Sequence, residues 1–301
     1  MGSLSCMIKL TIFTPSYNRA HTLPRLYESL KNQSNKCFEW LIVDDGSSDG
    51  TELLVQNFIN EQVLNIRYIK QANAGKQSAW NNAVLNAKGE LFCGVDSDDA
   101  LAKSHNIEDI LSKYTVLLKN EKIIGLRFLA YSNVKGTFDG KMISEDIVIQ
   151  SYFEEFADAG NFGERIDVLK TEILKKYLYP VSQDIKFIPE IWFYVKVSAD
   201  GYQFAYIPEA LRLFFDEATE NRLSRSSLLK HAKGHYISRS AMLSCIPIPI
   251  FLRNIVALIK TIIRFGQCAN YLNINFKQRV NDTNFIYATL SYIAKFIKSG
   301  T

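Results

Sequence analysis

The sequence predicts an α/β fold, and three observations predict it. Short apolar runs alternate with segments whose apolar residues have helical spacing, which is typical of a parallel sheet with helical crossovers. A polar cluster follows the end of several apolar runs. The chain has 301 residues, of which 47% are hydrophobic and 22% charged, so wholesale disorder and coiled coil are excluded.

The individual elements follow from local patterns. The predicted strands are the apolar, β-rich runs at residues 10–13, 38–43, 66–69 and 91–95. The predicted helices have apolar residues three or four apart and lie at residues 23–31, 51–58 and 78–87. Gly89 marks the end of the third helix.

Four polar clusters share one position relative to the predicted strands. Each lies at or just after the carboxyl end of a strand, at residues 14–19, 44–49, 73–77 and 96–99. Ligands of open α/β sheets bind outside those ends. The sequence therefore predicts a single crevice that is lined by four polar loops.

The loop at residues 96–99 places three carboxylates, Asp96, Asp98 and Asp99, within four positions. Together they would repel one another unless a cation is bound, and hard oxygen ligands suit Mg²⁺ or Mn²⁺. A solvated acidic turn that caps the next helix is the alternative. No G-x-x-x-x-G-K-[ST] or G-x-G-x-x-G occurs, which disfavours P-loop and Rossmann chemistry.

Five ordered motifs make the sequence resemble family-2 glycosyltransferases. They are Thr-Pro-Ser-Tyr-Asn-Arg at 14–19, Val-Asp-Asp-Gly-Ser-Ser-Asp-Gly-Thr at 43–51, Asn-Ala-Gly at 73–75 with Asn81, Ala-Lys-Gly-Glu at 87–90 and Val-Asp-Ser-Asp-Asp at 95–99. The resemblance implies a GT-A fold, which is a Rossmann-like mixed sheet flanked by helices, here with a C-terminal helical extension. It also implies a nucleotide-diphospho-sugar donor and inversion at the anomeric carbon.

Weaker matches downstream resemble bacterial members that build O-antigen (lipopolysaccharide) or capsule. They lie at residues 163–165, 177–180, 187–192, 207–211 and 223–225. These matches imply transfer to a glycan or to a polyprenyl-pyrophosphate-linked acceptor. No Gln-x-x-Arg-Trp occurs, which favours the addition of one hexose per encounter over processive synthesis.

The resemblance also implies residue roles. The nucleotide-sugar side comprises Thr14, Pro15, Tyr17, Arg19, Asp44, Asp45, Asn73, Gly75, Lys76, Asn81, Asp96, Ser97 and Asp98. Within this set, Tyr17 would stack on uracil, Asp45 would accept from the base and Lys76 would neutralise phosphate. Asp98 and Asp99 would hold the Mn²⁺ or Mg²⁺. Asp44 either contacts the ligand or orients its loop.

The acceptor side is expected to contain Glu164, Arg165, Trp192 and the base, Glu190. Apolar neighbours of Glu190 are expected to raise the pKa of its carboxyl by desolvation. The alternative is a glutamate at a helix N-terminus after Pro189.

Two departures from the family pattern keep a second function open. Ile191 stands where many relatives have a second acid, and Trp80 stands where many have arginine. These departures motivate the alternative of a GT-A module that binds a nucleotide or a partner without turnover. A nucleotidyltransferase is disfavoured because its Gly-rich N-terminal loop is absent.

Charge is distributed unevenly along the chain. Twelve of the 35 Lys and Arg but only two of the 31 Asp and Glu lie after Thr219, so this end carries a formal +10 and residues 1–219 carry −6. The predicted organisation is a catalytic domain at 1–219, with a nucleotide-sugar half at 1–100 and an acceptor half at 101–219. A basic helical region follows at 220–301.

The basic region is expected to meet an anionic membrane surface. Arg253, Lys260 and Arg264 would share one face of an apolar helix, which is typical of interfacial helices. The alternative is a helical subdomain with a solvated basic face. Nucleic acid is not an expected partner, because no recognised module is present. The five cysteines lack C-x-x-C pairs, which favours a reducing, cytoplasmic compartment, and the expected location is the inner face of the membrane.

Overall fold

The structure is a computed structural model that describes residues 7–160, 163–215 and 228–293. The chain divides into two compact units. The sheet unit comprises Met1–Gln150, Asn161–Leu178 and Gln203–Glu217. The helical unit comprises Ser151–Gly160, Tyr179–Tyr202 and Ala218–Thr301. The motif expected at 223–225 lies outside the described residues.

The sheet unit is built on one sheet of ten strands. They are β1 (Leu10–Ser16), β2 (Phe38–Asp44), β3 (Ile66–Lys70), β4 (Leu91–Gly94), β5 (Ala100–Leu101), β6 (Ile123–Ser132), β7 (Thr137–Phe138), β8 (Val148–Gln150), β9 (Arg165–Lys170) and β10 (Gln203–Phe214). The main path runs β3-β2-β1-β4-β9-β6-β10-β5, with β7 on β6 and β8 on β10.

Two strands of the main path, β9 and β5, run antiparallel to the strands beside them. β1, β2, β3 and β4 are mutually parallel, as the alternating pattern predicts. β9 pairs antiparallel with both β4 and β6, and β6 then pairs parallel with β10. The sheet is therefore mixed, and the expected α/β class with C-terminal helices is confirmed.

Of the first six described helices, five lie in the sheet unit and the fifth lies in the helical unit. They are α1 (Leu23–Lys31), α2 (Thr51–Asn60), α3 (Lys76–Asn86), α4 (Asn106–Asp109), α5 (Tyr152–Ala157) and α6 (Thr171–Leu174). α1, α2 and α3 match the predicted helices, although α3 begins two residues earlier than expected.

The core of the sheet unit lies between the parallel strands and these helices. Trp40 is fully buried beneath Tyr27 and Phe58, whose stacked rings have centroids 4.0 Å apart. Glu39 is also fully buried, and its carboxylate accepts from the Thr11 hydroxyl at 2.7 Å and from Arg67 at 2.8 Å. Because both carboxylate oxygens accept hydrogen bonds, this charge is tolerated inside the unit.

The helical unit contains six further helices after α6. They are α7 (Ile191–Ala199), α8 (Ala232–Cys245), α9 (Ile248–Arg253), α10 (Ile255–Tyr271), α11 (Phe276–Asp282) and α12 (Phe285–Ile293). A short 3₁₀ turn at Leu228–His231 precedes α8. Their core is an apolar cluster that includes Phe251, Phe265, Cys268 and Ala269.

The expected single basic helix over 253–264 is wrong. α9 ends at Arg253, and α10 begins at Ile255 after Asn254, whose φ of −133° and ψ of 64° are not helical. The Asn254 side chain accepts from the backbone N–H of Ala257, which caps α10. Arg253 therefore lies on a different helix from Lys260 and Arg264, and it pairs with Glu154 at 2.7 Å.

The described cysteines include both free thiols and a disulfide-bonded residue. Cys93, Cys245 and Cys268 are free thiols, whereas Cys37 is disulfide-bonded. Within the described ranges, no helix combines the length and the apolar character needed to cross a membrane.

Candidate active site

The first two polar loops are tied to each other at the carboxyl edge of the sheet. Asn18 has a left-handed φ of 54°, and its backbone N–H donates to the Ser47 hydroxyl at 2.8 Å. Its side-chain oxygen accepts from the backbone N–H of Ser48 at 2.9 Å. The loops after β1 and β2 therefore form one ledge.

Asp45 connects this ledge to the third loop. Its carboxylate accepts from Gln71 at 2.9 Å and from the backbone N–H groups of Ala74 and Gly75 at 2.8 Å each. A carboxylate has about four acceptor sites, so one site on Oδ2 remains for a ligand. Gly75 has a φ of +95°, which favours glycine at this position.

Asp44 orients its loop. The carboxylate is fully buried and accepts from the backbone N–H of Ser47 at 2.7 Å and from the Tyr68 hydroxyl. Burial of both oxygens within the turn favours the loop-orienting role over direct ligand contact. The hydrogen bond with Asp44 follows burial among the causes that raise the pKa of Tyr68.

The first polar cluster comprises the end of β1 and the loop after it, and its side chains differ in burial. Thr14 is fully buried and accepts from the Trp40 indole at 2.9 Å, so its side chain belongs to the core. Pro15 is partly buried beside Val43 in the register. Tyr17 is 52% exposed, which leaves its ring accessible for stacking. The backbone N–H of Arg19 donates to the Thr51 hydroxyl at 3.2 Å.

The fourth loop contains the three clustered carboxylates, and Arg212 of β10 lies against two of them. The Lys76 amine at the start of α3 lies 2.9 Å from Asp96. The Arg212 guanidinium lies 3.9 Å from Asp96 and 3.3 Å from Asp99. It also contacts Glu164 at 2.7 Å. The loop is thus held between two positive side chains.

The two acids beside Arg212 have opposite pKa shifts. Burial raises the pKa of Asp99 to about 7, with Asp96 and Asp98 adding to the rise and Arg212 opposing it. For Asp96, burial also acts upward, but Lys76 and Arg212 outweigh it and lower the pKa. Asp99, Glu164 and Asp96 in turn raise the pKa of Arg212 against the lowering effect of its own burial. The loop therefore concentrates negative charge that a cation would offset.

The donor set of this loop suits a divalent cation in its chemistry. Asp96, Asp98 and Asp99 offer hard oxygens, which Mg²⁺ and Mn²⁺ prefer. Asp98 is half-buried, whereas Asp99 is 2% exposed and also accepts from the backbone N–H of Phe215 at 3.3 Å. Asp98 is consequently the more accessible ligand. Among the described residues, no cluster of three His, Cys, Asp or Glu side chains with metal-binding geometry is present.

The remaining predicted donor-side residues flank these loops. Asn73 donates from its side chain to the backbone oxygen of Asp45 at 3.0 Å. Ser97 is 5% exposed, and Asn81 is partly buried on α3. Trp80 packs edge-on against Phe92, with ring centroids 5.0 Å apart, so it fills space on the sheet face.

The Ala-Lys-Gly-Glu motif at 87–90 has a structural explanation. A Cβ atom on Gly89 would lie 2.5 Å from the Thr11 backbone nitrogen and 2.6 Å from the Leu10 carbonyl carbon. The Gly89 N–H donates to the Thr11 hydroxyl, and its oxygen accepts from Thr171 at 2.6 Å. This motif therefore positions β1 and does not enter the polar crevice.

Glu164 and Arg165 have separate contacts in the sheet unit. Glu164 pairs with Arg212, which brings it to the acidic loop. Arg165 donates to the backbone oxygen of Lys141 at 3.0 Å, and its guanidinium lies 5.7 Å from the Tyr206 ring centroid.

Glu190 and Trp192 belong to the helical unit. Glu190 precedes α7, and its backbone oxygen accepts from the N–H of Phe193 at 2.9 Å. The side chain is exposed, so the expected burial of this carboxyl among apolar neighbours is not found. Trp192 is partly buried, with its ring 5.3 Å from that of Tyr179.

Sequence reasoning missed Arg212, whose guanidinium lies beside Asp96, Asp99 and Glu164. Its signal in the sequence is a charged residue within the apolar run Ala-Leu-Arg-Leu-Phe at 210–214. It also missed Arg25, which donates to the Asp98 backbone oxygen at 2.8 Å and stacks 3.8 Å from the Phe215 ring centroid. Both residues are distant in sequence from the loop they support.

A mixed sheet with polar loops at one carboxyl edge, an acidic loop after β4 and helices around it defines a domain of the GT-A type. The model of the family described as glycosyl transferase family 2 matches residues 11–166, and the chain belongs to this family.

Curated relatives share part of their length with this chain. GlyA of Streptococcus pneumoniae is 27% identical over 169 residues, which are 56% of this chain and 23% of that protein. A Campylobacter jejuni enzyme named GalNAc(5)-diNAcBac-PP-undecaprenol beta-1,3-glucosyltransferase is 30% identical over 177 residues, which are 56% and 54%. The matches thus span about a quarter to a half of these relatives.

Solved structures share the fold over nearly the whole chain. Staphylococcus aureus TarS 1–349 has a TM-score of 0.61 at 16% identity, covering 97% of this chain and 93% of that one. A mannosyltransferase from Pyrobaculum calidifontis, solved with GDP-Man and Mn²⁺, has a TM-score of 0.58 at 15% identity, covering 98% and 89%. At such identities the likeness shows the fold alone.

Proposed function

We propose that this chain is an inverting, metal-dependent glycosyltransferase that moves one hexose from a nucleotide-diphospho-sugar, preferentially a UDP-sugar, to an acceptor hydroxyl. The acceptor is a glycan or a polyprenyl-pyrophosphate-linked saccharide of bacterial surface polysaccharide such as O-antigen or capsule. One observation carries the proposal: in a member of family 2, four polar loops converge at the carboxyl edge of β1, β2 and β4.

The names of relatives support the substrate classes. TarS has been solved with UDP and with UDP-GlcNAc, and the Pyrobaculum enzyme with GDP-Man and Mn²⁺. The Campylobacter relative is named for an undecaprenol-diphosphate-linked acceptor. These names concern other proteins, and the donor and acceptor of this chain remain part of the proposal.

The ledge residues would bind and orient the donor. The exposed ring of Tyr17 would stack on the base, and the remaining acceptor site of Asp45 would take a hydrogen bond from it. The Lys76 amine would move from Asp96 to share a phosphate oxygen. Asp98 and Asp99 would hold Mn²⁺ or Mg²⁺, which would offset the negative charge of the departing diphosphate.

Glu190 would remove the proton of the acceptor hydroxyl as it attacks the anomeric carbon on the face opposite the diphosphate. Its exposure in the structure leaves the carboxylate accessible to an acceptor. Its position before α7 fixes the backbone from which the side chain extends. A base must reach the transferred proton, so this role depends on geometry before it depends on pKa.

The donor half of the proposal is tested at Asp98. With Mn²⁺ and a panel of UDP-, GDP- and dTDP-sugars, the wild-type protein should release nucleotide diphosphate, fastest with a UDP-sugar. Asp98→Asn should reduce the rate by roughly 100-fold or more, because it removes a ligand of the cation that stabilises the leaving group. Asp146→Asn, at an exposed carboxylate outside the four loops, should leave the rate unchanged.

Full activity of Asp98→Asn would remove this residue as a metal ligand. Calorimetric binding of UDP without turnover on any acceptor extract would instead support the non-catalytic binding module.

The acceptor half is tested at Glu190. Glu190→Gln should keep UDP affinity, measured by calorimetry, and should lose transfer by roughly 10²- to 10⁴-fold because the base is gone. Transfer is measured as glycosylated acceptor in a membrane extract. Glu172→Gln, at an exposed helix position of the sheet unit, is the matched control. Unchanged transfer by Glu190→Gln would show that a different residue acts as the base.

We further propose that the helical unit binds an anionic membrane surface, which would place the enzyme peripherally on the inner face of the cytoplasmic membrane. The apolar side chains on one side of α9 and α10 are exposed: Leu252 at 65%, Ile255 at 47%, Val256 at 56% and Ile259 at 52%. Lys260 and Arg264 are exposed on the same helix. Apolar side chains flanked by basic ones suit the interface of an anionic bilayer.

A further inference from the structure

Arg239, in the middle of α8, is a largely buried cation that has no anionic partner among the residues the structure describes. One terminal nitrogen donates to the Met242 sulfur at 3.1 Å, and the buried Nε has no hydrogen-bond acceptor among the described residues. The charged side chain with the largest effect on the pKa of Arg239 is Arg264, which is also positive. Burial and this like charge lower the pKa of Arg239 to about 10.

A second buried arginine of the same unit, Arg279, has hydrogen-bond acceptors for its guanidinium group. Arg279 donates to the Ile274 oxygen at 3.0 Å, to Asn270 at 2.7 Å and to the Ser291 hydroxyl at 3.2 Å. Its guanidinium also lies 4.2 Å from the Tyr292 ring centroid. Within the described part of the chain Arg239 has no comparable set of acceptors, and a bound anion would supply them.

Two imidazoles lie near Arg239 at the spacing of helical turns. His235 lies one turn before Arg239 on α8, and His231 immediately precedes this helix at the end of the 3₁₀ turn. Both rings pack on Phe187, with centroid distances of 5.3 and 5.8 Å. Nε2 of His231 and Nδ1 of His235 are buried without a hydrogen-bond partner in the described residues.

The charged groups that shift the pKa values of these imidazoles are all positive. Burial first, and then Arg239, His231 and Arg264, lower the pKa of His235 to about 4. Lys230 acts in the same direction on His231. The other titratable groups near Arg239 are Cys268 of α10 and Tyr152 of α5. No carboxylate of the described residues contributes.

We propose that His231, His235, Arg239 and Arg264 form an oxyanion site that binds a phosphate or pyrophosphate group. Guanidinium groups donate to phosphate oxygens in charge-assisted hydrogen bonds, and the N–H of a neutral imidazole can also donate, so a bound phosphate would provide acceptors for the buried nitrogens. Binding would also supply the negative charge that the cluster lacks.

The position of this site suggests what the phosphate belongs to. Phe187, which contacts both imidazoles, is three residues before Glu190. α8 is pressed against the same loop, because a Cβ atom on Gly234 would lie 1.7 Å from the Phe187 oxygen. The site would therefore hold the diphosphate of a lipid-linked acceptor beside the candidate base. This last step rests on the proposed function, whereas oxyanion binding does not.

The binding test uses the full chain with inorganic pyrophosphate in metal-free buffer at constant ionic strength, by calorimetry and thermal unfolding. Pyrophosphate at several times its dissociation constant should raise the Tm by roughly 2–4 °C. Arg239→Gln and His235→Gln should each weaken binding at least 10-fold. Lys277→Gln, which removes an exposed charge from α11, should bind as the wild type does.

Lys76→Gln identifies pyrophosphate that binds at the donor loops instead. Binding that is lost in Lys76→Gln and retained in Arg239→Gln would overturn the proposal. Failure of UDP release in the wild type would contradict the proposed function and leave the pyrophosphate result standing.

A stability measurement separates this site from a merely structural arginine. Without added anion, Arg239→Gln should unfold at the same or a higher temperature than the wild type, because it removes an uncompensated charge. Arg279→Gln should unfold at a lower temperature, because it breaks satisfied hydrogen bonds. The proposal would be overturned if both variants lost the same thermal stability and pyrophosphate did not change the unfolding temperature of the wild type.

Vesicles distinguish the two sources of such a group. If Arg239→Gln weakens pyrophosphate binding and also weakens flotation with phosphatidic acid vesicles, the site takes a lipid headgroup. If only pyrophosphate binding falls, the site takes the phosphate of a soluble or acceptor-derived group. Retention of both in Arg239→Gln and His235→Gln would contradict the proposal.

Discussion

At the residue scale, Arg212 organises the acidic loop that the sequence singled out. It is 6% exposed and reaches Asp96, Asp99 and Glu164 from β10. Three acids around one buried guanidinium form a network in which each charge depends on the others. The expected metal loop is thus held in place from the opposite half of the sheet.

Replacing Arg212 tests that dependence. Arg212→Met should lower the free energy of unfolding by about 3–5 kcal/mol, since it leaves buried Asp99 without its positive partner. Arg212→Lys should recover part of the loss, because an amine keeps the charge but not the two-pronged geometry. Urea unfolding followed by circular dichroism measures both changes.

Lys122→Met is the control for Arg212, since it removes an exposed positive charge of the same unit and should change stability by less than about 0.5 kcal/mol. If Arg212→Met were as mild as this control, the network would not stabilise the fold.

At the element scale, close contacts decide where strands and helices can meet. β1 and the segment before β4 approach each other at Gly89, where the contact leaves no room for a side chain. α10 begins anew at Asn254, where an amide cap replaces the continuous helix that the apolar pattern indicates. Hydrophobic periodicity does not report either feature, because both depend on backbone contacts.

Gly89→Ala should destabilise the sheet unit by roughly 1–3 kcal/mol or more, because the added Cβ meets the backbone of Leu10 and Thr11. Gly50→Ala is the matched control, since nothing lies within 4 Å of its added Cβ and its φ of −74° suits alanine. The control should stay within about 0.5 kcal/mol of the wild type. Equal thermal stability of the two variants would contradict the close-packing explanation.

At the scale of the whole molecule, the charge division has a structural counterpart. Twelve Lys and Arg lie after Thr219, and five of the described ones belong to helices α9, α10 and α11 or to their ends: Arg253, Lys260, Arg264, Lys277 and Arg279. Their roles differ, because Arg279 is buried and Arg253 is paired with Glu154. The membrane proposal therefore depends on Lys260, Arg264 and the exposed apolar side chains near them.

The double substitution Ile255→Ser with Ile259→Ser should weaken flotation with phosphatidylglycerol vesicles at least 10-fold, because it removes two exposed apolar side chains from the interface. Flotation of the wild type should also fall as salt rises, since basic side chains contribute. Val63→Ser with Leu53→Ser, at exposed apolar positions of the sheet unit, is the matched control. Equal flotation of both pairs would place the membrane contact elsewhere.

The sequence by itself determined the α/β class, the first four parallel strands, the position of four polar loops and the family. It could do so because strand and helix periodicity is local, and because motifs such as 43–51 and 95–99 are contiguous in the chain. The turn role that was left open for Asp44 is also local, and its hydrogen bonds are consistent with it.

Only the tertiary structure decided which side chains meet. Arg212 reaches the acidic loop across the sheet, Thr14 turns into the core towards Trp40, and Glu190 is exposed where its apolar neighbours in sequence suggested burial. The unpartnered Arg239 is likewise recognisable only from the groups around it. Burial and charge pairing depend on contacts between residues far apart in the chain, and no local pattern encodes them.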